Sequence, residues 1–131
     1  MIGFNDVKLT PVHFYAQNAG NHSLLKATIP FDSNIRTNIG GAIDEETGIF
    51  IAPRTGMYIF DFVYPENGTA VVCTRLNGVM GHCLKQRANL AFRFTNQLQK
   101  GNKIEIQLQE GWLGPMAIFK GEMIEEHLWI N

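Results

Sequence analysis

Serine, cysteine and histidine are the side chains of this chain that could act as nucleophile and base, but their spacing matches no catalytic arrangement. The chain has two serines, Ser23 and Ser33, and neither lies in the Gly-x-Ser-x-Gly turn that exposes a serine nucleophile. His82 directly precedes Cys83. Neighbouring side chains of a strand point to opposite faces, so this pair indicates hairpin packing and not a nucleophile with its base. We therefore expect a protein that is not an enzyme.

Metal and phosphate chemistry are equally poorly supported by the sequence. No zinc-binding spacing relates the four histidines, which are His13, His22, His82 and His127. The acidic run at residues 44–46 has the composition of a solvated turn, and the glycines form no phosphate-binding pattern. We predict no cofactor and no metal site from these residues.

Two cysteines, Cys73 and Cys83, flank an Asn77-Gly78 pair, which is a strong hairpin signal. With a two-residue loop, Cys73 lies opposite His82 and Cys83 projects from the other face. With a three-residue loop that includes Val79, the cysteines face each other within disulfide reach. Such a bridge would stabilise the fold by about 2–3 kcal/mol, whereas the alternative is two separate buried thiols.

The most informative strand pattern lies at residues 57–64, which are apolar on both faces. One face carries four aromatic side chains, Tyr58, Phe60, Phe62 and Tyr64. The other face carries Met57, Ile59 and Val63, interrupted only by Asp61. A strand with one solvated face alternates apolar and polar residues, so this strand needs cover on both sides. A second subunit or the N-terminal strands of the same chain could supply the outer layer.

The rest of the chain predicts further short strands separated by turns, and no segment has a helical period. Residues 90–98 and 104–109 alternate apolar and polar side chains, which predicts one solvated face for each. The strands are expected at residues 12–16, 24–31, 35–43, 48–52, 57–64, 70–76, 79–85, 90–98, 104–109 and 116–124. Nine or ten such strands in 131 residues indicate an all-β sandwich.

The charge and hydropathy of the chain argue against nucleic acid and membrane partners. A net charge of −1 with mixed signs gives no electrostatic footprint for nucleic acid, and no apolar run is long enough to span a membrane. Residues 1–6 lack the pattern of a secretory leader, so we expect a mature or excised domain. Two glycosylation sequons begin at Asn21 and Asn67, which favours a secreted, extracellular protein.

These segments resemble the globular head domain of complement component one, subcomponent q. The family signature runs from a Phe through an Asn or Asp to Gly-x-Tyr-x-Phe-x-aromatic. Here one extra residue lies between Phe31 and Asn38, which match the first two positions of the signature, and Ile43 replaces an aromatic residue. Residues 99–104 and 119–124 resemble two further family segments, so the likeness spans residues 12–124. The matching positions are Phe31, Asn38, Ile43, Phe50, Gly56, Tyr58, Phe60 and Phe62.

The resemblance implies a fold and an assembly. It implies one domain over residues 1–131, with a core at 12–124 and a short tail at 125–131. Its fold is a ten-stranded jelly roll similar to tumour necrosis factor, assembled as a trimer. Met57, Ile59 and Val63 are then the expected trimer interface. Several relatives bind calcium near the trimer axis through an Asp at the position of Asn102, whose amide lacks the charge that dominates calcium affinity. Asp61 and Glu105 could compensate for that charge, but we predict no metal there.

The resemblance also implies a function, namely non-enzymatic recognition by surface loops of a homotrimer. The expected ligands are extracellular proteins, glycans or microbial surfaces, as in innate immunity and lectin-like binding. Trp112 is a candidate anchor if it is exposed, or a core plug beneath its loop if it is not. Arg75, Lys85 and Arg87 are a candidate basic patch or simply solvated surface. The alternative function is a structural trimerisation module of an extracellular matrix or collagen-like assembly.

Overall fold

Two antiparallel sheets face each other across an apolar core in the computed structural model, which describes residues 11–17, 27–31, 37–44, 46–64, 70–85, 90–114 and 116–126. The first sheet has the strand order β3-β1-β10-β5-β8. The second has the order β2-β9-β6-β7, with β4 also paired to β9. The strands are β1 (His13–Gln17), β2 (Ala27–Thr28), β3 (Thr37–Ile39), β4 (Phe50–Ile51), β5 (Gly56–Tyr64), β6 (Val71–Leu76), β7 (Val79–Lys85), β8 (Leu90–Leu98), β9 (Lys103–Glu110) and β10 (Ile118–Glu126).

This architecture confirms the all-β sandwich, and the described residues include no helix. The strands expected at residues 79–85 and 90–98 have those bounds in the structure. The strand expected at residues 24–31 is reduced to Ala27–Thr28 within the described residues. Ile29 still donates its backbone N–H to the Ile106 carbonyl at 2.8 Å, but Pro30 after it cannot donate to a sheet ladder.

The core is built on the aromatic face of β5. Its four aromatic side chains are at most 2% exposed, as the period-two pattern predicts. Phe60 packs edge-on to Phe50 with ring centroids 4.9 Å apart and stacks on Phe94 at 5.1 Å. A Cβ at Gly121 would lie only 2.6 Å from the Phe60 ring, so glycine leaves room for that ring beside β10. Each such buried side chain contributes about 1.5–3 kcal/mol of burial free energy.

The solvated faces of β8 and β9 differ in one respect from the sequence prediction. Ala91, Arg93, Thr95 and Gln97 of β8 are exposed, which confirms its one wet face. On β9, however, Gln107 is only 5% exposed. Its amide oxygen accepts a hydrogen bond from Arg75 at 3.0 Å, so the long arginine side chain covers it.

The second face of β5 points away from the sandwich. Met57, Ile59 and Val63 are each part-exposed, and β5 pairs only with β10 and β8, which lie in its own sheet. Across the described residues, therefore, no strand forms a layer over this outer face of the first sheet. The N-terminal strand β1 does not cover it, because β1 pairs with β10 in the same sheet.

Candidate binding surfaces

The cysteine hairpin has the shorter of the two loops that the sequence left open, yet its cysteines face each other as expected for the longer one. Leu76 pairs with Val79, so the turn is the two-residue Asn77-Gly78 loop, with both residues at positive φ. A register shift then occurs beyond Arg75, and Cys73 pairs with Cys83. The two sulfurs form a disulfide, with the Cα atoms 4.0 Å apart.

A β-bulge at Thr74 produces this shift, because two residues of β7, Gly81 and His82, oppose one residue of β6. The Thr74 hydroxyl oxygen accepts a hydrogen bond from the backbone N–H of His82 at 3.1 Å. A Cβ at Gly81 would approach that oxygen to 2.8 Å, so glycine fits the bulge. The bulge had no sequence signal beyond the glycine itself. Because Cys83 is bonded, it offers no thiol for the His82–Cys83 pair.

A groove of about 1040 Å³ lies between the β6–β7 hairpin and β8, where the edges of the two sheets meet. We call it the β7–β8 groove. Apolar side chains line it, and two of them, Phe92 and Phe94, are core aromatics that remain part-exposed there. Its lining carries basic side chains and no acidic one. The lining includes Val79, Leu84, Phe92, Phe94, Arg75 and His82.

The outer face of the first sheet carries a shallow concavity of about 620 Å³ with charged walls. Arg93 of β8 donates to both carboxylate oxygens of Asp61 of β5, at 2.8 and 3.2 Å. These hydrogen bonds, followed by the negative charge of Asp61, raise the pKa of Arg93. Glu122 of β10 pairs in register with Ile59 on one side and with His13 on the other. The predicted interface residues thus surround a charged centre.

Two residues of the predicted basic patch, Arg75 and Lys85, lie far apart in the structure. Arg75 donates to Gln107 and to the carbonyl oxygen of Gly78, which holds it at the turn of the hairpin. Lys85 pairs with Val71 at the far end of the same hairpin. Four residues separate the two positions along β6, which is roughly 13 Å at the usual strand rise. Arg87 and the two sequon asparagines, Asn21 and Asn67, lie outside the described residues.

Trp112 is 54% exposed, so it is not a core plug. The buried side chain of its loop is the next residue, Leu113, which is 0% exposed. The Tyr64 hydroxyl oxygen accepts a hydrogen bond from the Gly114 N–H at 2.8 Å and ties this loop to the core. Met116 in the same loop is 51% exposed. Adjacent large apolar residues in an extended loop cannot both point inward, and this alternation was the available sequence signal.

The residues considered for calcium do not converge on one point. The Asn102 side-chain oxygen accepts a hydrogen bond from the Gln99 N–H at 2.8 Å and closes the turn before β9. Asp61 lies in the first sheet with Arg93, whereas Glu105 lies in the second sheet and accepts from the Thr28 hydroxyl. Nowhere in the described ranges do three His, Cys, Asp or Glu side chains cluster as metal ligands would. Within the described residues of one chain, therefore, Asn102, Asp61 and Glu105 do not lie together as one set of calcium ligands.

The described part of the chain also contains no helix with the length and hydrophobicity of a membrane span.

Comparisons with known proteins point to one family and one fold. The C1q domain profile matches residues 13–114. Among solved structures, the globular domain of zebrafish complement 1qA protein is similar at 19% identity and a TM-score of 0.73, covering 88% of this chain and 99% of that one. Bushbaby GITRL is similar at 14% identity and a TM-score of 0.65, covering 92% and 99% respectively. Pika GITRL is similar at 11% identity and a TM-score of 0.60, covering 88% and 99%. No curated protein sequence matches the chain.

Proposed function

Because the chain belongs to the C1q domain family, we propose that it is an extracellular, non-enzymatic recognition module that acts as a homotrimer. The family consists of binding modules, and the fold is that of the complement 1qA globular domain. Its ligands are proteins, glycans or microbial surfaces, contacted through surface loops. The proposal includes no calcium ion, because Asn102 lacks the charge that dominates calcium affinity and its side-chain oxygen already accepts a hydrogen bond within its own turn.

The main support for a trimer is the set of exposed and part-exposed apolar side chains on the outer face of the first sheet. Met57, Ile59 and Val63 lie along β5 on this face, and Ile124 of β10 is 54% exposed beside them. Burying four such side chains against another subunit stabilises the contact by at most ~1.5–3 kcal/mol each. The Asp61–Arg93 pair in the same face is already satisfied within one chain, so it can be buried without leaving an unpaired charge.

Trp112 supports the recognition function, because it is a large aromatic side chain exposed on a loop that the core holds in place. Aromatic anchors of this kind carry much of the binding energy at interfaces. A trimer presents three copies of the loop to one surface. Individually weak contacts then gain avidity through effective concentration.

The assembly is tested by light scattering on a sizing column, with and without a calcium chelator. The expected mass is that of three chains, unchanged by the chelator. A monomer at all concentrations would overturn the trimer and the avidity mechanism with it. A trimer that dissociates in chelator would show that a metal ion holds the subunits and that the reading of Asn102 is wrong.

Recognition is tested by binding the trimer to arrays of glycans and to immobilised bacterial surfaces. Loss of binding in Trp112→Ala, with the trimer mass retained, is the expected result. Lys100→Ala, at an exposed turn residue, is the matched control and should bind normally. A stable trimer that binds none of these surfaces would instead support the structural trimerisation module.

A further inference from the structure

The loop that joins β9 to β10 is apolar although two of its large side chains are exposed. Residues 111–117 have the sequence Gly-Trp-Leu-Gly-Pro-Met-Ala, so the indole N–H of Trp112 is their only polar side-chain group. Trp112 and Met116 are 54% and 51% exposed. Exposed loops are usually rich in small polar residues, and single exposed apolar side chains need no explanation. Two in one short loop without polar side chains indicate a binding surface, which we call the Trp112–Met116 site.

The backbone of Met116 has a conformation that a residue with a side chain rarely adopts. Its φ is 84°, and in the described part of the chain Asn77 is the only other non-glycine residue with a positive φ. Asn77 lies in a two-residue hairpin turn that requires such a φ, whereas Met116 does not. Glycine would avoid this strain, so the methionine side chain is present at a cost in stability. Such strain is typical of binding sites.

The ends of β1 and β5 hold this loop in place. Gln17, the last residue of β1, donates its side-chain N–H to the Met116 sulfur at 3.0 Å. Tyr64, the last residue of β5, accepts from the Gly114 N–H. Neither Trp112 nor Met116 lines the β7–β8 groove or the concavity on the first sheet. The site therefore lies outside the surface that the proposed trimer covers.

We propose that the Trp112–Met116 site binds an apolar side chain of a protein partner. This inference rests on the proposed recognition function and adds a second anchor residue and the class of ligand. Tryptophan and methionine are both enriched at protein interfaces. A rigid aromatic ring there carries much of the binding energy, and a flexible thioether adapts to the shape of the partner.

Two other classes of ligand fit the site less well. A sugar needs several side chains that form hydrogen bonds with its hydroxyl groups, and residues 111–117 supply only the indole N–H. An anionic membrane needs nearby cations, whereas the nearest charge along the chain is the exposed carboxylate of Glu110. Glu110 pairs in register with Val71, and Val71 with Lys85, so charges of both signs lie roughly 10 Å apart. Charges of both signs beside an apolar anchor suit the polar rim of a protein–protein contact.

The probe is a phage-displayed library of random peptides, selected on the immobilised wild-type protein. The selected peptides should share a large apolar residue. They should bind Trp112→Ala and Met116→Ala about tenfold or more weakly, as expected for anchor residues. Lys100→Ala, at an exposed turn residue outside the loop, is the matched control and should bind like wild type.

Met116→Gly separates the side chain from the backbone strain. Glycine and alanine both remove the thioether, but only glycine adopts a φ of 84° without strain. Met116→Gly should therefore unfold at a temperature about 2–5 °C higher than Met116→Ala. The two variants should bind the selected peptides equally weakly. Peptide binding that survives in both Met116 variants and in Trp112→Ala would overturn the site.

The remaining outcomes distinguish the inference from the function on which it rests. Binding to arrayed glycans that is lost in Trp112→Ala would overturn a protein partner and leave recognition standing. The same holds for binding to vesicles of phosphatidylcholine with phosphatidylserine. A protein that binds no peptide, glycan, vesicle or bacterial surface would instead overturn the proposed recognition function.

Discussion

Cys73 lies directly opposite Cys83, although the two-residue turn between their strands would by itself place Cys73 opposite His82. The bulge at Thr74 adds the one residue that brings the cysteines into line, and the disulfide then fastens edge strand β7 to β6. The bond closes a loop with a sequence separation of 10 residues. The hairpin that lines the β7–β8 groove is therefore held together covalently.

Removing this bond should lower the free energy of unfolding by about 2–3 kcal/mol, because the unfolded chain regains the entropy of the closed loop. The variant is Cys73→Ala with Cys83→Ser, which keeps a small side chain at the buried position and a polar one at the exposed position. Urea unfolding of the variant and of the reduced wild-type protein should agree. A reduced wild type as stable as the oxidised one would contradict the prediction.

Gly48 and Gly101 both have positive φ, at 75° and 93°, but only Gly48 is crowded. A Cβ there would collide with the backbone nitrogen of Phe31, whereas a Cβ at Gly101 meets no atom within 4 Å. Gly101→Ala should therefore cost only the left-handed backbone strain of roughly 1–2 kcal/mol. Gly48→Ala should cost a further ~1–3 kcal/mol from overpacking. Thermal unfolding measures both, and equal losses would refute the steric argument.

The side chain of Asn38, in β3, forms two hydrogen bonds to the backbone of Ile43 in the loop before β4. Its side-chain nitrogen donates to the Ile43 carbonyl at 2.9 Å, and its side-chain oxygen accepts from the Ile43 N–H at 3.1 Å. Asn38→Ala removes both bonds and should destabilise the fold by roughly 1–3 kcal/mol. Asn38→Asp keeps the acceptor but loses the donor, so it should lose at least half as much stability as Asn38→Ala. Denaturant unfolding of the two variants measures both losses.

Tyr58 should make the protein sensitive to alkali. Burial raises the pKa of Tyr58 above its usual value, although the hydrogen bond that its hydroxyl oxygen accepts from the Arg54 backbone N–H acts in the opposite direction. Below the pKa of the unfolded tyrosine both states are protonated, so this group does not change stability with pH there. As pH rises further, the unfolded state loses the proton first, and stability falls through the folded pKa.

The comparison of Tyr58→Phe with wild type isolates this effect. At pH ~8 the variant should be less stable by about 1 kcal/mol, because it lacks the 2.6 Å hydrogen bond to Arg54. Between pH ~8 and ~11 it should lose less stability than wild type, because it has no hydroxyl to ionise at this site. Urea unfolding at the two pH values gives both differences. Parallel losses in the two proteins would show that Tyr58 does not titrate differently on folding.

Much of the fold was predictable from local alternation. The four aromatic residues of β5 point to one side of any extended strand, so their burial followed from the period of two. The bounds of β7 and β8 followed in the same way from the turns that flank them. The family signature around Gly56 and Tyr58 led to the C1q domain, which the match over residues 13–114 shows.

The candidate surfaces were less predictable. The sequence left Trp112 as either an exposed anchor or a core plug, and only packing beneath the loop shows that the next residue, Leu113, is the buried one. Arg75 and Lys85 are separated because they lie at opposite ends of one hairpin. The β7–β8 groove had no local signal, because β7 and β8 belong to different sheets whose edges meet only in the folded chain.

By itself, the sequence determined the all-β class, the two apolar faces of β5 and the bounds of β7 and β8, because all of these depend on neighbours along the chain. Tertiary structure alone decided that a bulge at Thr74 aligns Cys73 with Cys83, and that β7 and β8 border a groove although they belong to different sheets. Those outcomes depend on strand partners distant in sequence, whose register is set by the packing of the whole core.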